Sequence, residues 1–289
     1  MLVLFTDTDT DITPKKAKEF GYHLISMPYS IEGKTTYPYE DFDEFDAHAF
    51  YDTLRGGVLP KTSAISADNY KKYFEPHFKN GDDILYVHFS AAMTATFDAM
   101  DIAVKELLEK YPERKFYTID TKGITILSLN IVEEIGDLYK AGKTVEEIME
   151  WAKKEVDKFA VYFFADDLKF FKASGRVSGL AGTMGTLLGI RPIIHISSEG
   201  KMANIGKEKG RNKALNRIIS YVEELGEDLE KHRVIVAHTD APEMVDEAVA
   251  MLKEKFGDTL RIEIVDVNPT AGSHCGPSTV GVCFHAKHR

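Results

Sequence analysis

Short apolar runs alternate with helical segments along the first half of the chain. The runs that predict strands are LVLFTD, DILYVHFS and KFYTID, and a helical segment follows each of them. Strands that alternate with helices predict a mostly parallel sheet covered by helices on both faces. We therefore expect an α/β domain over residues 1–158.

The pattern changes beyond residue 158. The segment RPIIHISSEGKMANIGKEKG predicts a hairpin that turns at Glu199-Gly200, and two helices and several strands follow it. This mixture predicts a C-terminal α+β domain over residues 159–289. A chain of 289 residues, of which 44% are hydrophobic, is long enough for two such domains with sizeable cores.

Composition excludes several classes of protein. The formal net charge of −10 argues against a protein that coats nucleic acid, because phosphate binding needs a basic face. Cys275 and Cys283 are too few for a disulfide framework or a zinc site, which favours a reduced, cytoplasmic location. The start MLVLFTDTDTD predicts a strand and not a signal peptide. No glycine fingerprint for a dinucleotide or nucleoside phosphate follows the first strand, so we expect no cofactor.

Two clusters of hydroxyl residues stand next to predicted core elements. PKTSAIS contains Thr62 and Ser63, and HFSAAMTATF contains Ser90 and Thr94. We expect both loops at the carboxyl edge of the parallel sheet, where hydroxyls and free amides at helix N-termini suit an anion. The alternative is that each hydroxyl only caps its own helix. Two clusters in neighbouring loops favour an anion-binding site.

Two further segments carry candidate binding residues. Arg176 in KASGRVSG either clamps a carboxylate or phosphate, or is a surface residue in a turn. His274 and Cys275 lie in NPTAGSHCGPSTVG, where we expect His274 to donate to a bound anion. A Cys275 nucleophile is disfavoured, because a catalytic Cys and its His normally come from separate elements.

Two charged patterns have ordinary explanations. The alternating Asp7, Asp9 and Asp11 resemble the start of a calcium loop, but the pattern lacks the required Gly and Glu, so we expect Asp7 to brace the first loop.

The basic residues from Lys201 to Arg217 form a run on an otherwise acidic chain. Such a run is usually a solvated face; the alternative is docking of an acidic partner or transient contact with an anionic membrane.

In order along the chain, several segments resemble motifs of the DegV family of bacterial fatty-acid-binding proteins. They are TDTDTDI, ISMPY, PKTSAIS, SAAMTATF, KASGRVSG and SHCGPSTVGV. The resemblance implies two domains with a fatty acid in a tunnel between them. It also implies that Thr62 and Thr94 hold the carboxylate, with Arg176 and His274 near the headgroup. Some members present the fatty acid to a separate fatty acid kinase that makes acyl-phosphate, which would link this chain to phospholipid metabolism.

The small-residue segment GLAGTMGTLLGI agrees with that implication. Protein interiors are close-packed, so a segment this poor in large side chains leaves volume that an acyl chain would fill. The sequence therefore predicts a non-enzymatic carrier of a long-chain fatty acid. Two alternatives stay open: a hydrolase or acyltransferase with Ser90 or Cys275 as nucleophile, and a binder of another small carboxylate.

Overall fold

The computed structural model describes residues 1–178 and 189–289. The helices are α1 (Pro14–Phe20), α2 (Ala47–Arg55), α3 (Ala67–Lys79), α4 (Thr96–Lys110), α5 (Ile126–Lys140), α6 (Val145–Glu155), α7 (Lys169–Ser174), α8 (Arg211–Leu225), α9 (Pro242–Phe256) and α10 (Pro269–Cys275). The strands are β1 (Leu2–Asp7), β2 (Tyr22–Ile25), β3 (Tyr29–Ile31), β4 (Lys34–Thr36), β5 (Lys61–Thr62), β6 (Asp83–His88), β7 (Phe116–Asp120), β8 (Phe159–Phe164), β9 (Val177–Ser178), β10 (Ile190–Ile196), β11 (Met202–Lys209), β12 (Arg233–His238), β13 (Arg261–Asp266) and β14 (Val280–His285).

The first half contains the predicted parallel sheet. Its strand order is β2-β1-β6-β7, and every neighbouring pair is parallel. Side chains alternate across it: Leu4 and Leu85 face the cluster that contains α5, whereas Phe5 and Tyr86 face α3 and α4. Both faces are therefore covered by helices, as the sequence predicts.

A seven-stranded mixed sheet forms most of the second half. Its order is β13-β12-β14-β8-β10-β11-β9, and the predicted hairpin is the antiparallel pair β10–β11. Helices α8 and α9 cover one face with an apolar cluster that includes Leu215, Val245 and Phe284. The α/β class with a parallel sheet and a further sheet is thus confirmed. The boundary between residues 158 and 159 stays a prediction, because α5 belongs to an apolar cluster that includes strands of both sheets.

Helix α5 lies between the two large sheets. It contacts β8, β12 and β14 on one side and α1 on the other. Its residues from Ile126 to Val132 are all buried, which is the pattern expected of a helix that packs on more than one side. Gly136 allows α1 to approach closely, because a Cβ there would lie 2.6 Å from a ring carbon of Phe20. The two sheets therefore share one core.

A small antiparallel sheet, with the order β4-β3-β5, connects the two halves. A turn at Glu32-Gly33 joins β3 to β4, and both turn residues have positive φ. Strand β5 brings Thr62 opposite Tyr29 of β3. This sheet and α2 pack against α10 and Phe170 of α7, so elements far apart in sequence meet here.

Candidate functional site

A cavity of about 250 Å³ lies beyond the carboxyl ends of the parallel strands. The seven-stranded sheet closes it with Val161 and Phe163 of β8 and Ala237 of β12, and the start of α5 adds Ile126. All four of these residues are buried. The wall is therefore largely apolar where it is deepest in the protein.

The predicted polar residues line the part of this cavity where side chains are partly exposed. Thr62, Ser63, Thr94, Arg176 and His274 all line it. None of them belongs to the fully buried set, and the side chains of Ser63 and Arg176 are exposed. The cavity thus has an apolar interior and a polar rim.

Thr62 and His274 form a hydrogen bond across the rim. Thr62 Oγ1 lies 2.9 Å from His274 Nε2, although 212 residues separate them in sequence. His274 occupies the last turn of α10, whose first turn is capped by Asn268 and begins with Pro269. Burial lowers the pKa of His274 to about 4, and the charge of Arg176 acts in the same direction. The imidazole is therefore neutral near pH 7.

The two hydroxyl clusters are joined by Thr96. Its Oγ1 accepts a hydrogen bond of 3.2 Å from the backbone amide of Ile65 and lies 3.2 Å from the hydroxyl of Tyr70. Thr94 Oγ1 in turn accepts from the amide of Thr96 at 3.1 Å, which leaves the Thr94 proton free to be donated. The clusters therefore adjoin each other, as the sequence predicts.

The placement of Thr62 differs from the expectation. Thr62 reaches the cavity at the carboxyl edge of the parallel sheet from β5 of the small antiparallel sheet, and not from a loop that leads directly into α3. The cap of α3 is Ser66, whose Oγ accepts from the amide of Asn69 at 3.2 Å. A strand of two residues shows no alternation of side chains, so the sequence could not reveal it.

Arg176 approaches the rim from the second half of the chain. Its Nη1 donates to the carbonyl of Ser174 at 2.5 Å, which orients the guanidinium. No acidic side chain forms an ion pair with Arg176 in the described part of the chain. A guanidinium that lines the same cavity as two threonine hydroxyls, and that has no carboxylate partner among the described residues, suits an anionic group.

Ser90 is not among the residues that line the cavity. It is fully buried, and its Oγ donates to the carbonyl of Gly200 at 2.8 Å and accepts from the amide of Ala92. These bonds fasten the β10–β11 turn to the loop after β6. The structure therefore brings five of the six predicted residues together in the cavity lining. Ser90 is buried outside that lining.

Cys275 lines the cavity, but its environment suppresses the thiolate. Burial raises the pKa of the Cys275 thiol to about 12, with smaller contributions from Asp11 and Asp9. Because the thiolate is the nucleophilic form, this thiol is weakly reactive at neutral pH.

Asp9 is a cavity-lining residue that the sequence did not single out. We expected Asp7 to brace the first loop, and the structure agrees with this. The Asp7 carboxyl group accepts a hydrogen bond from Tyr86 Oη at 3.0 Å and another from the amide of Phe89 at 3.2 Å. The position of Asp9 in the cavity wall, which sets it apart from Asp7 and Asp11, is a tertiary property. Residues 1–178 and 189–289 contain no group of His, Cys, Asp or Glu side chains arranged to hold a metal ion.

The basic run is divided by the structure. Lys207 and Lys209 are exposed on β11. Arg211 instead forms an ion pair with Asp166, and Arg217 lies 3.1 Å from Glu224 and stacks on Tyr221.

The small-residue segment GLAGTMGTLLGI lies outside the described residues except for its last two. Within the described ranges, none of the helices has the length and apolar character needed to cross a membrane.

The fold and site define an α/β protein with a polar-rimmed, largely apolar cavity between a parallel and a mixed sheet. A sequence profile described as "Uncharacterised protein, DegV family" matches residues 1–287. A DegV domain-containing protein of Clostridium perfringens is 31% identical over 283 residues, which is 98% of this chain and 96% of the relative. The chain belongs to the DegV family.

Solved structures of the family share this fold. A structure from Thermus thermophilus, described as fatty acid binding of a DegV family protein, superposes with a TM-score of 0.85 and 19% identity over 99% of both chains. A DegV family protein from Eubacterium eligens, loaded with heptadecanoic acid, superposes with a TM-score of 0.84 and 22% identity over 99% of this chain and 100% of that one.

Proposed function

We propose that this protein binds a long-chain fatty acid, with the carboxylate at the polar rim and the acyl chain in the apolar interior. The observation that carries the proposal is the distribution of side chains along the cavity: hydroxyl, imidazole and guanidinium groups line its partly exposed rim, and its buried wall is mostly aliphatic and aromatic, with Asp9 and a few threonines as the polar exceptions. The ligands named for the Thermus thermophilus and Eubacterium eligens proteins support it. Each methylene buried by the wall contributes about 0.8 kcal/mol.

The rim has the chemistry that a carboxylate requires. A carboxylate only accepts hydrogen bonds, so Thr62 and Thr94 must donate their hydroxyl protons to it. For Thr62 this requires that neutral His274 donate from Nε2 to Thr62 Oγ1, which lies 2.9 Å away. Ser63 and Arg176 then supply a further donor and the positive charge. In this arrangement His274 acts through Thr62.

We further propose that the protein acts as a carrier in the cytoplasm and not as an enzyme. The two candidate nucleophiles support this: Ser90 donates to a backbone carbonyl, and Cys275 is held as a thiol. No imidazole forms a hydrogen bond with either group among the residues that the structure describes. A separate fatty acid kinase would phosphorylate the carboxylate, which the exposed rim leaves within reach of a partner.

Extraction of the purified protein followed by mass spectrometry tests the binding proposal. The expected result is a long-chain fatty acid in a ratio near one per chain. A small polar carboxylate in the extract would favour the alternative binder. Turnover of a chromogenic acyl ester that is lost in Ser90→Ala or Cys275→Ala would favour the hydrolase or acyltransferase and overturn the carrier assignment.

A further inference from the structure

The cavity wall contains a carboxyl group that has no hydrogen-bond partner among residues 1–178 and 189–289. Asp9 follows β1, lines the cavity and is only 5% exposed. Its Oδ1 is buried and accepts no hydrogen bond. Its backbone is fixed on both sides, because the amide donates to Asp7 Oδ1 at 3.1 Å and the carbonyl accepts from the amide of Thr125 at 2.7 Å. The side chain is thus held at the wall and left unpaired.

The neighbouring acids differ from Asp9 because each of their carboxyl groups accepts hydrogen bonds, although Oδ2 of Asp11 is also buried and unpaired. Asp7 accepts hydrogen bonds from Tyr86 and Phe89. Asp11 accepts from the backbone amide of Asn268 at 2.8 Å and from its side-chain amide at 2.7 Å. The carboxyl groups of Asp7 and Asp11 therefore have structural roles with specific hydrogen-bond donors. The Asp9 carboxyl group has no such donor among the described residues, although buried polar groups in proteins are normally paired.

Asp9 is also separate from the rim. The rim residues are partly exposed, whereas Asp9 shares the buried wall with Ile126, Phe163 and Ala271. An acyl chain whose carboxylate is held at the rim would pass this wall with methylene groups, which cannot pair with a carboxyl group. Burial raises the pKa of Asp9 well above its ordinary value, and Asp7 and Asp11 act in the same direction. The protonated group both donates and accepts.

We infer, on the basis of the proposed fatty-acid binding, that Asp9 selects acyl chains that carry a hydroxyl group where the chain passes this side chain. A hydroxyl group also donates and accepts, so it pairs with Asp9 in either ionisation state. An unsubstituted chain leaves the carboxyl group unpaired. The ligand class is therefore the hydroxylated long-chain fatty acids, with the hydroxyl at one position in the chain.

The test is a titration of delipidated protein with octadecanoic acid and with hydroxyoctadecanoic acids that differ only in the position of the hydroxyl. One isomer, or two adjacent ones, should bind roughly three- to tenfold more tightly than octadecanoic acid, which corresponds to one net hydrogen bond. Equal or weaker binding of every isomer would overturn the inference. Failure of all the acids to bind would instead overturn the proposed function.

Two variants locate the preference. Asp9→Leu, which is similar in size and apolar, should lose the preference and bind octadecanoic acid more tightly than the wild type does. Asp9→Asn, which still donates and accepts, should keep the preferred isomer. An unchanged preference in Asp9→Leu would contradict the role of Asp9. If that variant does not fold, the isomer series on the wild type and on Asp9→Asn decides the question.

Discussion

Lys16 of α1 forms an ion pair with Glu133 of α5, whose side chain is completely buried. The same carboxylate has Arg233 of β12 beside it, with Arg233 Nε 2.8 Å from Glu133 Oε2. Burial, and then the nearby Glu263, raise the pKa of Glu133 to about 7, while Lys16 and Arg233 oppose that rise. This cluster ties α5 to the seven-stranded sheet through charge as well as through apolar packing.

Arg233→Met should lower the free energy of unfolding by about 3–5 kcal/mol, because it removes a cation from beside a buried carboxylate. Denaturant titration measures the change. Lys143→Met is the control, since its ion pair with Glu147 is exposed and should contribute little to stability. Equal effects of the two substitutions would show that the buried cluster does not stabilise the fold.

Thr62→Ala and Thr94→Ala should each weaken fatty-acid binding by about 0.5–1.5 kcal/mol, or up to ~3 kcal/mol if the lost partner is a carboxylate. Affinity should fall more than stability, and Thr62→Ser should retain binding because the donor is kept. Ser66→Ala is the matched control: it removes the cap of α3, so it should cost about 1 kcal/mol of stability without changing affinity. Calorimetric titration and melting on the same samples separate the two effects.

His274 should make stability sensitive to acid. Its pKa is about 4 in the folded protein and about 6.5 when unfolded, so its contribution is complete above pH 6.5 and is lost as the pH falls towards 4. Between pH 7.5 and 5 the wild type should lose about 2 kcal/mol from this group. His274→Gln cannot be protonated and should lose correspondingly less. Denaturant titrations of both proteins at the two pH values measure the difference. An equal loss of unfolding free energy in the wild type and in His274→Gln would contradict the prediction.

The exposed part of the basic run should affect the proposed kinase and not the ligand. Lys207→Glu combined with Lys209→Glu should leave fatty-acid affinity intact and slow acyl-phosphate formation, most strongly at low salt, because charge steering is screened by ions. Arg211 is left unchanged because it pairs with Asp166. A double reversal of Lys15 and Lys18 on α1 is the control. A normal rate for the Lys207/Lys209 variant across a salt series would mean that these lysines form only a solvated face.

Arg176→Ala should impair phosphorylation more than binding. The guanidinium stands at the exposed rim, where it can neutralise the carboxylate and also meet the kinase, while the apolar wall retains most of the binding free energy. Comparison of the ligand affinity with the phosphorylation rate of the same preparation measures the two effects. A loss of affinity as large as the loss of rate would place the role of Arg176 in binding alone.

Periodic features of the fold could be predicted from the sequence. The alternation of strand and helix gave the parallel sheet, and the Glu199-Gly200 signal gave the β10–β11 hairpin. Family membership was also predicted from the order of the motifs and is confirmed. These features depend on local patterns of side chains, which a single sequence displays.

Features that depend on tertiary contacts could not be predicted. The strand that holds Thr62 has only two residues. Ser90 donates its hydrogen bond to the carbonyl of Gly200, which is distant in sequence. The basic run gave no sign that Arg211 would pair with Asp166. Asp9 shows the same limit, because its sequence neighbours Asp7 and Asp11 are equally acidic and only the cavity distinguishes them.

The position of α5 has a consequence for how a ligand enters and leaves. Because α5 belongs to an apolar cluster that includes strands of both large sheets and Gly136 holds it close to Phe20, separation of the sheets would expose apolar surface on both sides of the helix at once. Hinge opening of the whole molecule is therefore the costly route. If the proposed ligand is exchanged through the rim, the described elements that would move include the short loops that carry Ser63 and Thr94, so we expect these loops, and not the core, to set the rate of release.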